Sequence, residues 1–305
     1  MTNPPIPSGF VLMKQLVVTP AMTAWAVSIL RDPQKFPMFA TMIEEFDRLY
    51  VLARVEWHPP NSRNPKVHRG VTLYSQGRGA PGSRFTAGID VSHYQPTIDW
   101  DKVAASHVAF AFIKATEGTT LLDHSFADHW SGAKRADVLR GAYHFFRPKQ
   151  DAVTQAKFFL AQLGDPGELP PVVDVEVADG VAPSQIMDGV FAWIDIVTKG
   201  LGRPLIYTSP SFWNALPVTA ELASKADLWV AHWAAHDPAR VTGWGKWAFW
   251  QFTNEATVPG IPGLDHVDED YFNGTLEDLR AYSAEFVASR ARGVQGNQCP
   301  DATKT

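Results

Sequence analysis

The chain has 305 residues, of which 45% are hydrophobic and 19% charged, with a formal net charge of −5. These proportions are ordinary for a globular protein, and without a dense basic stripe they exclude a typical nucleic-acid binder. The longest apolar runs fall short of the roughly eighteen residues of a membrane span, and a single cysteine, Cys299, excludes an intramolecular disulfide.

The first 74 residues differ in charge from the rest of the chain. Lys and Arg exceed Asp and Glu by four over residues 1–80, whereas the remainder carries a balance of −9. A small α+β unit is predicted for residues 1–74. Its predicted elements are two helices and two strands: Thr19–Leu30, Phe36–Phe46, Tyr50–Trp57 and Gly70–Tyr74.

A linker is predicted next, over residues 75–85. The stretch Ser75–Ser83 is rich in Gly, Ser and Pro and has almost no apolar residue. Beyond it, residues 86–285 are predicted to form the main domain. The polar stretch 286–305 is predicted to be a flexible tail.

Strands and helices alternate throughout the main domain. The predicted strands are Thr86–Val91, Val108–Lys114, Val138–Phe146, Pro171–Val177, Leu205–Ser209, Asp227–Trp233 and Trp247–Phe252. The predicted helices are Asp99–Ser106, Ser125–Ala136, Asp151–Leu163 with Asp151 as N-cap, and Ser184–Lys199 with Gly200 as its stop.

This alternation predicts a parallel sheet, and apolar runs such as Val108–Lys114 are typical of strands buried on both faces. We expect an α/β fold, an irregular (β/α) barrel of TIM type whose last helices are incomplete. An open doubly wound sheet is the alternative. A nucleotide-binding version of it is disfavoured because no Gly-rich phosphate loop follows any strand.

Polar residues interrupt the apolar strands repeatedly at their carboxyl ends, where barrel enzymes place their chemistry. The residues at these ends are Asp90, Lys114, Thr116, Glu117, Tyr143, His144, Asp174, Glu176, Tyr207, His232, Trp233 and Gln251, with Asp268 near the close of the domain. Because so many polar groups fall at one rim, we expect a single site there.

The segment Pro171–Val177 (PVVDVEV) carries the most informative pair. Alternate residues of a strand share a face, so Asp174 and Glu176 are expected to point into the barrel while Val173 and Val175 face the helices. Two neighbouring carboxyls repel each other, which favours keeping one protonated. Glycoside hydrolysis needs such a pair. The alternative is a buried pair that is satisfied by His or Lys.

A metal site is the second alternative. Asp90, His93, His144 and Asp268 could surround a divalent ion, but no local ligand spacing such as HxxxH supports this. We therefore expect neither a metal nor another cofactor.

Nine segments occur in an order that resembles a known family. They are GIDVSHYQ (Gly88–Gln95), IDW (Ile98–Trp100), FIKATEG (Phe112–Gly118), GAYHFF (Gly141–Phe146), PVVDVE (Pro171–Glu176), LIYTS (Leu205–Ser209), LWVAHW (Leu228–Trp233), WQF (Trp250–Phe252) and VDEDYF (Val267–Phe272). Over about residues 86–281 the chain resembles glycoside hydrolase family 25, the Chalaropsis-type lysozymes of bacteria and phages. One departure is His93-Tyr94, which is expected to change a subsite without changing the chemistry.

The resemblance implies cleavage of the β-1,4 bond between N-acetylmuramic acid and N-acetylglucosamine in bacterial peptidoglycan, with net retention. It implies that Glu176 is the general acid and that Asp174 orients the N-acetyl group or stabilises an oxocarbenium-like centre. Asp90 and Asp268 complete an acidic floor. The expected substrate-binding residues are Tyr143, His144, Lys114, Tyr207, Trp233 and Gln251.

Two other functions remain as alternatives. A chitinase-type barrel also carries a DxE strand end, but its pattern has an Asp where this chain has Val172. A catalytically inactive wall-binding module is disfavoured by the intact carboxyls. The first residues lack the pattern of a signal peptide, so synthesis in the cytoplasm is expected, with action on the wall after lysis, holin release or injection. Residues 1–74 are expected to bind the wall or to dock onto a partner protein.

Overall fold

The computed structural model describes residues 10–17, 51–54, 70–76, 85–106, 108–218, 221–233, 237–262 and 266–296. The chain divides into two compact units, Met1–Ser83 and Arg84–Thr305. In the described parts, no helix is both long and apolar enough to cross a membrane.

The first unit contains a three-stranded antiparallel sheet. Its strands are β1 (Phe10–Val17), β2 (Val51–Arg54) and β3 (Gly70–Gln76), in the order β1-β3-β2. The sequence predicted β2 and β3 but not β1, and the first two residues of the predicted linker belong to β3. The two predicted helices, Thr19–Leu30 and Phe36–Phe46, lie outside the described residues.

The second unit follows the predicted alternation closely. Its strands are β4 (Thr86–Val91), β5 (Val108–Glu117), β6 (Leu121–Leu122), β7 (Leu139–Phe145), β8 (Val172–Asp174), β9 (Leu205–Thr208), β10 (Asp227–Ala231), β11 (Phe249–Ala256) and β12 (Val267–Phe272). Its helices are α1 (Trp100–Ala104), α2 (Phe126–Arg135), α3 (Ala152–Gln162), α4 (Pro183–Leu201), α5 (Pro210–Trp213), α6 (Leu222–Lys225) and α7 (Leu276–Gly296).

Eight of these strands form a closed barrel. The order is β4-β12-β11-β10-β9-β8-β7-β5, and β4 pairs with β5 to close the ring, while β6 extends β5 as a short hairpin. The predicted α/β barrel is therefore confirmed. The expectation of a wholly parallel sheet is wrong for β12, which runs antiparallel to both of its neighbours. The described residues between β11 and β12, 257–262 and 266, contain no helix, and a short connection suits an antiparallel pair.

Two hydrophobic layers follow from the alternation of side chains along each strand. Large residues such as Phe110, Phe112, Trp229 and Phe249 fill the barrel interior. The alternate residues, Val173 among them, pack outward against the helices. The interior layer fills the middle of the barrel with aromatic rings. The polar groups that lie further along the strands are therefore directly above these rings.

Local signals decide where two of the helices begin and end. The carboxylate of Asp151 accepts a hydrogen bond from the amide of Thr154 at 2.7 Å, which confirms the predicted N-cap of α3. The predicted stop of α4 at Gly200 is wrong, because the helix continues to Leu201. Its C-cap is Gly202, whose φ of 91° is a conformation that glycine adopts readily.

The C-terminal helix α7 is the largest departure from the sequence prediction. A flexible tail was expected from residue 286, but α7 continues to Gly296. Leu279 on its buried face joins the interior layer of the barrel. The helix is held in place by tertiary packing more than by its own sequence pattern.

Candidate active site

An open cavity of about 340 Å³ lies at the carboxyl ends of the parallel strands. Nine of the ten residues that the sequence assigned to a site line this cavity: Asp90, Lys114, Tyr143, Asp174, Glu176, Tyr207, Trp233, Gln251 and Asp268. They come from eight different parts of the chain and meet because the strand ends converge at one mouth.

Asp174 and Glu176 lie at the end of β8. Asp174 is the last residue of the strand and is buried, whereas Glu176 lies just beyond it and is exposed to the cavity. The amide of Val175 donates to the carbonyl of Tyr207 at 2.9 Å. This bond keeps the backbone extended after the strand, so both carboxyls face the cavity although only one of them belongs to β8.

The pKa values of both carboxyls are raised. Burial raises the pKa of Asp174 well above its usual value, with the charge of Glu176 adding to the effect. Burial by the cavity walls also raises the pKa of Glu176, but less, which agrees with its exposed position. The ammonium of Lys114 opposes both shifts. Of the two carboxyls, the deeper Asp174 therefore retains a proton to higher pH.

Asp90 and Asp268 face each other across the pairing of β4 with β12. Because β12 is antiparallel, its first residues lie at the same end of the barrel as the last residues of β4. Burial, followed by the charge of Glu176, raises the pKa of Asp268 to about 6. Burial, followed by the charges of Asp268 and Asp270, raises the pKa of Asp90 well above its usual value.

Gln251 connects the acidic floor to the aromatic wall. Its Oε1 accepts hydrogen bonds from the hydroxyl of Tyr207 at 2.9 Å and from Nε1 of Trp233 at 2.8 Å. Two donors at one oxygen fix the orientation of the amide, so Nε2 is directed to Oδ2 of Asp90 at 2.7 Å. The side chain of Trp233 remains half exposed at the mouth of the cavity.

Lys114 supplies positive charge at the wall of the cavity. Its Nζ lies 2.8 Å from Oε2 of Glu117 and 4.8 Å from the ring centre of Phe145. The side chain is almost completely buried. A buried ammonium so close to the carboxyls can hold them ionised at a lower pH than burial alone would allow.

His144 does not reach the cavity, and its predicted role in substrate binding is wrong. The side chain is fully buried outside the barrel, where it stacks on Trp193. Its Nε2 lies 3.1 Å from Oε1 of Gln155, and its Nδ1 lies 2.7 Å from Oγ1 of Thr116. Burial lowers the pKa of His144 to about 4, so the imidazole is a neutral packing group. Tyr143 faces inward, and its neighbour in a strand must therefore face outward.

Several residues of the cavity were not predicted as site residues. Ser92, Tyr94 and Gln95 in the loop after β4 line it, as do Phe145, Trp229 and Asn254. Asp270 is fully buried and does not line the cavity, but its charge adds to the raised pKa of Asp90. The alternation of Asp268 and Asp270 along β12 could have indicated that they share a face.

A metal centre finds no support among the described residues, where no three His, Cys, Asp or Glu side chains are placed to hold an ion. His93, one of the ligands weighed for such a site, is instead bound by Asp123. Its Nδ1 lies 2.8 Å from Oδ2 of that carboxylate, which also accepts the His93 amide at 3.1 Å. This pairing fixes the loop that carries Ser92 and Tyr94.

The ordered motifs and the acidic cavity agree with a family match over most of the barrel. The sequence profile of glycosyl hydrolases family 25 matches residues 89–261, which is more than half of the chain. The chain belongs to glycosyl hydrolases family 25. The matched range includes Asp90, Asp174 and Glu176, but it ends before β12.

Individual relatives agree with membership of glycosyl hydrolases family 25. Lysozyme M1 of Streptomyces globisporus is 36% identical over 243 residues, which cover 71% of this chain and 81% of that protein. Uncharacterized protein YegX of Escherichia coli (strain K12) is 37% identical over 209 residues, or 66% and 75% of the two chains. A bacterial lysozyme from Streptomyces coelicolor has a similar fold, with a TM-score of 0.61 at 33% identity over 66% of this chain and 98% of that one. The protein is therefore a glycoside hydrolase.

Proposed function

We propose that this glycoside hydrolase is a muramidase that cleaves the β-1,4 bond between N-acetylmuramic acid and N-acetylglucosamine in peptidoglycan, with Glu176 as the general acid. The observation that carries the assignment is the pair at the end of β8. Glu176 is exposed to the cavity, where a glycosidic oxygen can approach it, and Asp174 is buried beside it. One carboxyl can donate a proton while the other stays close to the positive centre.

Substrate binding reverses the distribution of the proton between the two carboxyls. The deeper Asp174 has the more strongly raised pKa, and one of its buried oxygens has no hydrogen-bond donor. An acetamido N–H of the sugar supplies such a donor, which favours the charged form of Asp174. The proton then resides on Glu176, where it can be given to the leaving oxygen.

Asp174 in this role also orients the acetamido group of the sugar. A held acetamido group can attack the anomeric carbon from within the substrate, which agrees with the net retention implied for this family. Asp90 and Asp268 contribute negative potential beneath the ring, where an oxocarbenium-like centre develops positive charge. Lys114 acts on the pKa values of Asp174 and Glu176 instead of contacting the reacting atoms.

The rim of the cavity provides surfaces for flat sugar faces. Trp233 and Tyr94 are exposed by 50% and 73% of their surface, while Tyr143 and Tyr207 line the wall below. An exposed ring stacks on the apolar face of a pyranose, and the buried hydroxyl and amide groups below supply directional bonds. We therefore assign the sugar subsites to Tyr143, Tyr207, Trp233 and Gln251.

The substrate also indicates where the protein works. Peptidoglycan lies in the bacterial cell wall, so the wall is where the proposed activity acts. Residues 1–74 are proposed to attach the enzyme to the wall or to a partner protein, because they form a unit separate from the barrel. Their charge balance, opposite to that of the barrel, supports separate roles.

The decisive experiment combines one variant with product analysis. Glu176→Gln is expected to lower hydrolysis of purified peptidoglycan by roughly a hundredfold or more, the scale of general acid catalysis, with an unchanged circular dichroism spectrum. Glu255→Gln is the matched control, since Glu255 lies exposed on β11 outside the cavity. Near-normal activity of folded Glu176→Gln would remove this residue from the role of acid.

The products identify the bond. Borohydride reduction of the released muropeptides, followed by mass spectrometry, is expected to show muramitol. Glucosaminitol would indicate a glucosaminidase, anhydro-muramic ends a lytic transglycosylase, and new amino groups a peptidase. Binding to sacculi without any release would indicate an inactive wall-binding module, and cleavage of chitin in preference to peptidoglycan would favour a chitinase.

A further inference from the structure

Asp270 is a second carboxyl beneath Asp90 that the proposed catalytic steps do not use. It is fully buried on β12, where it pairs with Gln251 on β11 and with Gly88 on β4. Its Oδ1 accepts a hydrogen bond from Nε1 of Trp229 at 2.8 Å. Its Oδ2 is buried and has no hydrogen-bond partner among the described residues, and Asp90 lies on the same face of the sheet, two residues along β4 from the Gly88 that pairs with Asp270.

Two carboxylates cannot bond to each other without a proton between them. Oδ2 of Asp90 accepts a bond from Nε2 of Gln251, so each acid has one oxygen that is held by a neutral donor. An ionised carboxylate only accepts hydrogen bonds, whereas a protonated one also donates. One O–H between the two carboxyls would satisfy the unpartnered Oδ2 of Asp270, which two ionised carboxylates cannot do.

We propose that Asp90 and Asp270 hold a single shared proton, and that Asp270 acts as a positioning residue that fixes Asp90 in the floor of the cavity. The inference rests on the proposed function, in which Asp90 contributes to that floor. The pair then carries one negative charge instead of two. Asp90 remains at a fixed position under the sugar ring with a defined, lower charge.

The surroundings favour retention of this proton. The charged groups around the pair are Lys114 on β5, Asp174 on β8, Glu176 after it, and Asp268 and Glu269 on β12. β7 and β9 contribute the phenols of Tyr143 and Tyr207, whose pKa values burial raises well above the usual value, so both stay neutral. β10 and β11 contribute the neutral donors Trp229 and Gln251. Acidic groups thus outnumber Lys114, and a second ionisation of the pair is opposed from several sides.

The number of protons held by the pair can be counted directly. Unfolded Asp residues are ionised at pH 7, so protons held by the folded pair are released when the protein unfolds, and the release can be titrated in weakly buffered denaturant. We expect Asp90→Asn, Asp270→Asn and the double variant each to release about one proton fewer than the wild type. Glu255→Gln should release the same number as the wild type.

Other counts overturn the proposal in different ways. Equal release by the wild type and all three variants means that both acids are ionised in the folded protein. A loss of one proton in each single variant and two in the double variant means that each acid holds its own proton. The count does not depend on hydrolysis, so it stands apart from the test of Glu176.

Activity measurements test the positioning role. In Asp270→Asn the side-chain amide can donate to Asp90 while its oxygen still accepts from Trp229, so kcat is expected to stay within about threefold of the wild type. Asp270→Leu removes both contacts and is expected to lower kcat at least tenfold with little change in KM. Equal kcat in the Asn and Leu variants, or a tenfold loss in Asn as well, would overturn the role of Asp270.

Discussion

Both ends of the barrel hold buried charged groups, but these groups are paired with opposite charge at the amino end and are mostly unpaired at the carboxyl end. At the amino end of β7, Arg140 is almost completely buried and bonds to Glu168 through two nitrogens, at 2.6 and 3.0 Å, and to Asp165 at 3.1 Å. At the carboxyl ends of the strands, four Asp and one Glu lie close together, with Lys114 as the cation that opposes the shifts of Asp174 and Glu176.

The amino end is a completed network. The guanidinium of Arg140 also stacks over Trp130 with 4.5 Å to the ring centre and donates to that residue's carbonyl at 3.2 Å. Helix α7 covers the network, since the hydroxyl of Ser283 donates to the carbonyl of Glu168 at 2.9 Å. Every buried charge there has opposite charge or a dipole beside it, which is the arrangement that tolerates burial.

The cluster of acids at the carboxyl end lacks matching cations. The paired charges at the amino end therefore contribute to stability, whereas the unpaired acids contribute to function. Acids without matched cations keep protons that solvent would remove, and those protons are available for chemistry. A fold that pairs charge at one end can tolerate repulsion at the other, because native stability is a sum over the whole barrel. The four predictions below test this contrast.

The largest effect on stability is expected at the paired end. Arg140→Met removes the buried cation that bonds to Glu168 and Asp165, and it should lower the free energy of unfolding by about 1–3 kcal/mol, since both carboxylates stay partly exposed to water. Urea denaturation measures the change, with the exposed Arg135→Met on α2 as control. The activity of the molecules that remain folded should be unchanged. A loss below about 1 kcal/mol would mean that the network contributes no more than a surface pair.

A smaller change is expected from the cation at the unpaired end. Lys114→Met removes the charge that opposes the raised pKa values of Asp174 and Glu176, so both pKa values rise further. The alkaline limb of the pH–activity profile should move up by about one pH unit. Lys102→Met, at an exposed lysine on α1, should leave the profile in place. A downward shift would show that Lys114 does not act through the charge of these acids.

The pH dependence of stability should have opposite signs at the two ends. The bond from Lys134 is the main cause that lowers the pKa of Asp165 to about 2, so its contribution is present above about pH 4 and is lost as the pH falls through 2. Asp268 has a pKa of about 6, so its contribution is present below about pH 4 and is lost as the pH rises through 6.

We therefore expect Tm to be highest near pH 4–5, and melting curves between pH 2 and pH 8 measure it. Asp268→Asn should reduce the decline on the alkaline side by a few degrees, and Asp165→Asn should reduce the decline on the acid side. If Asp268→Asn lowers Tm at pH 8 as much as at pH 4, the carboxyl end is not a source of repulsion.

The smallest effect is expected when residues 1–81 are removed. A chain that starts at Gly82 should fold and cleave soluble peptidoglycan fragments within about twofold of the full-length rate, since both charge clusters lie in the barrel. On intact sacculi it should be slower, because a second attachment raises the local concentration of enzyme. Loss of activity on fragments would show that residues 1–74 complete the site. Equal rates on both substrates would favour docking to a partner protein over wall binding.

Much of this fold could be read from local patterns. The period of two in Pro171–Val177 predicted that Asp174 faces inward and Val173 outward, and the barrel layers agree. The same period should have excluded His144 once Tyr143 was placed inside. A polar residue near a strand end reaches the cavity only if the alternation of side chains turns it inward, and in β7 this alternation turns His144 outward.

The sequence by itself determined the alternation of strands and helices, the inward face of each strand and the collection of acids at one rim, because these follow from periodicity and burial over a few residues. Only the tertiary structure decided the direction of β12, which brings Asp268 opposite Asp90 and sets Asp270 beneath it. It also decided that α7 covers the opposite end. Both depend on how the barrel closes, and closure is fixed by contacts between residues far apart in the chain, which local patterns do not specify.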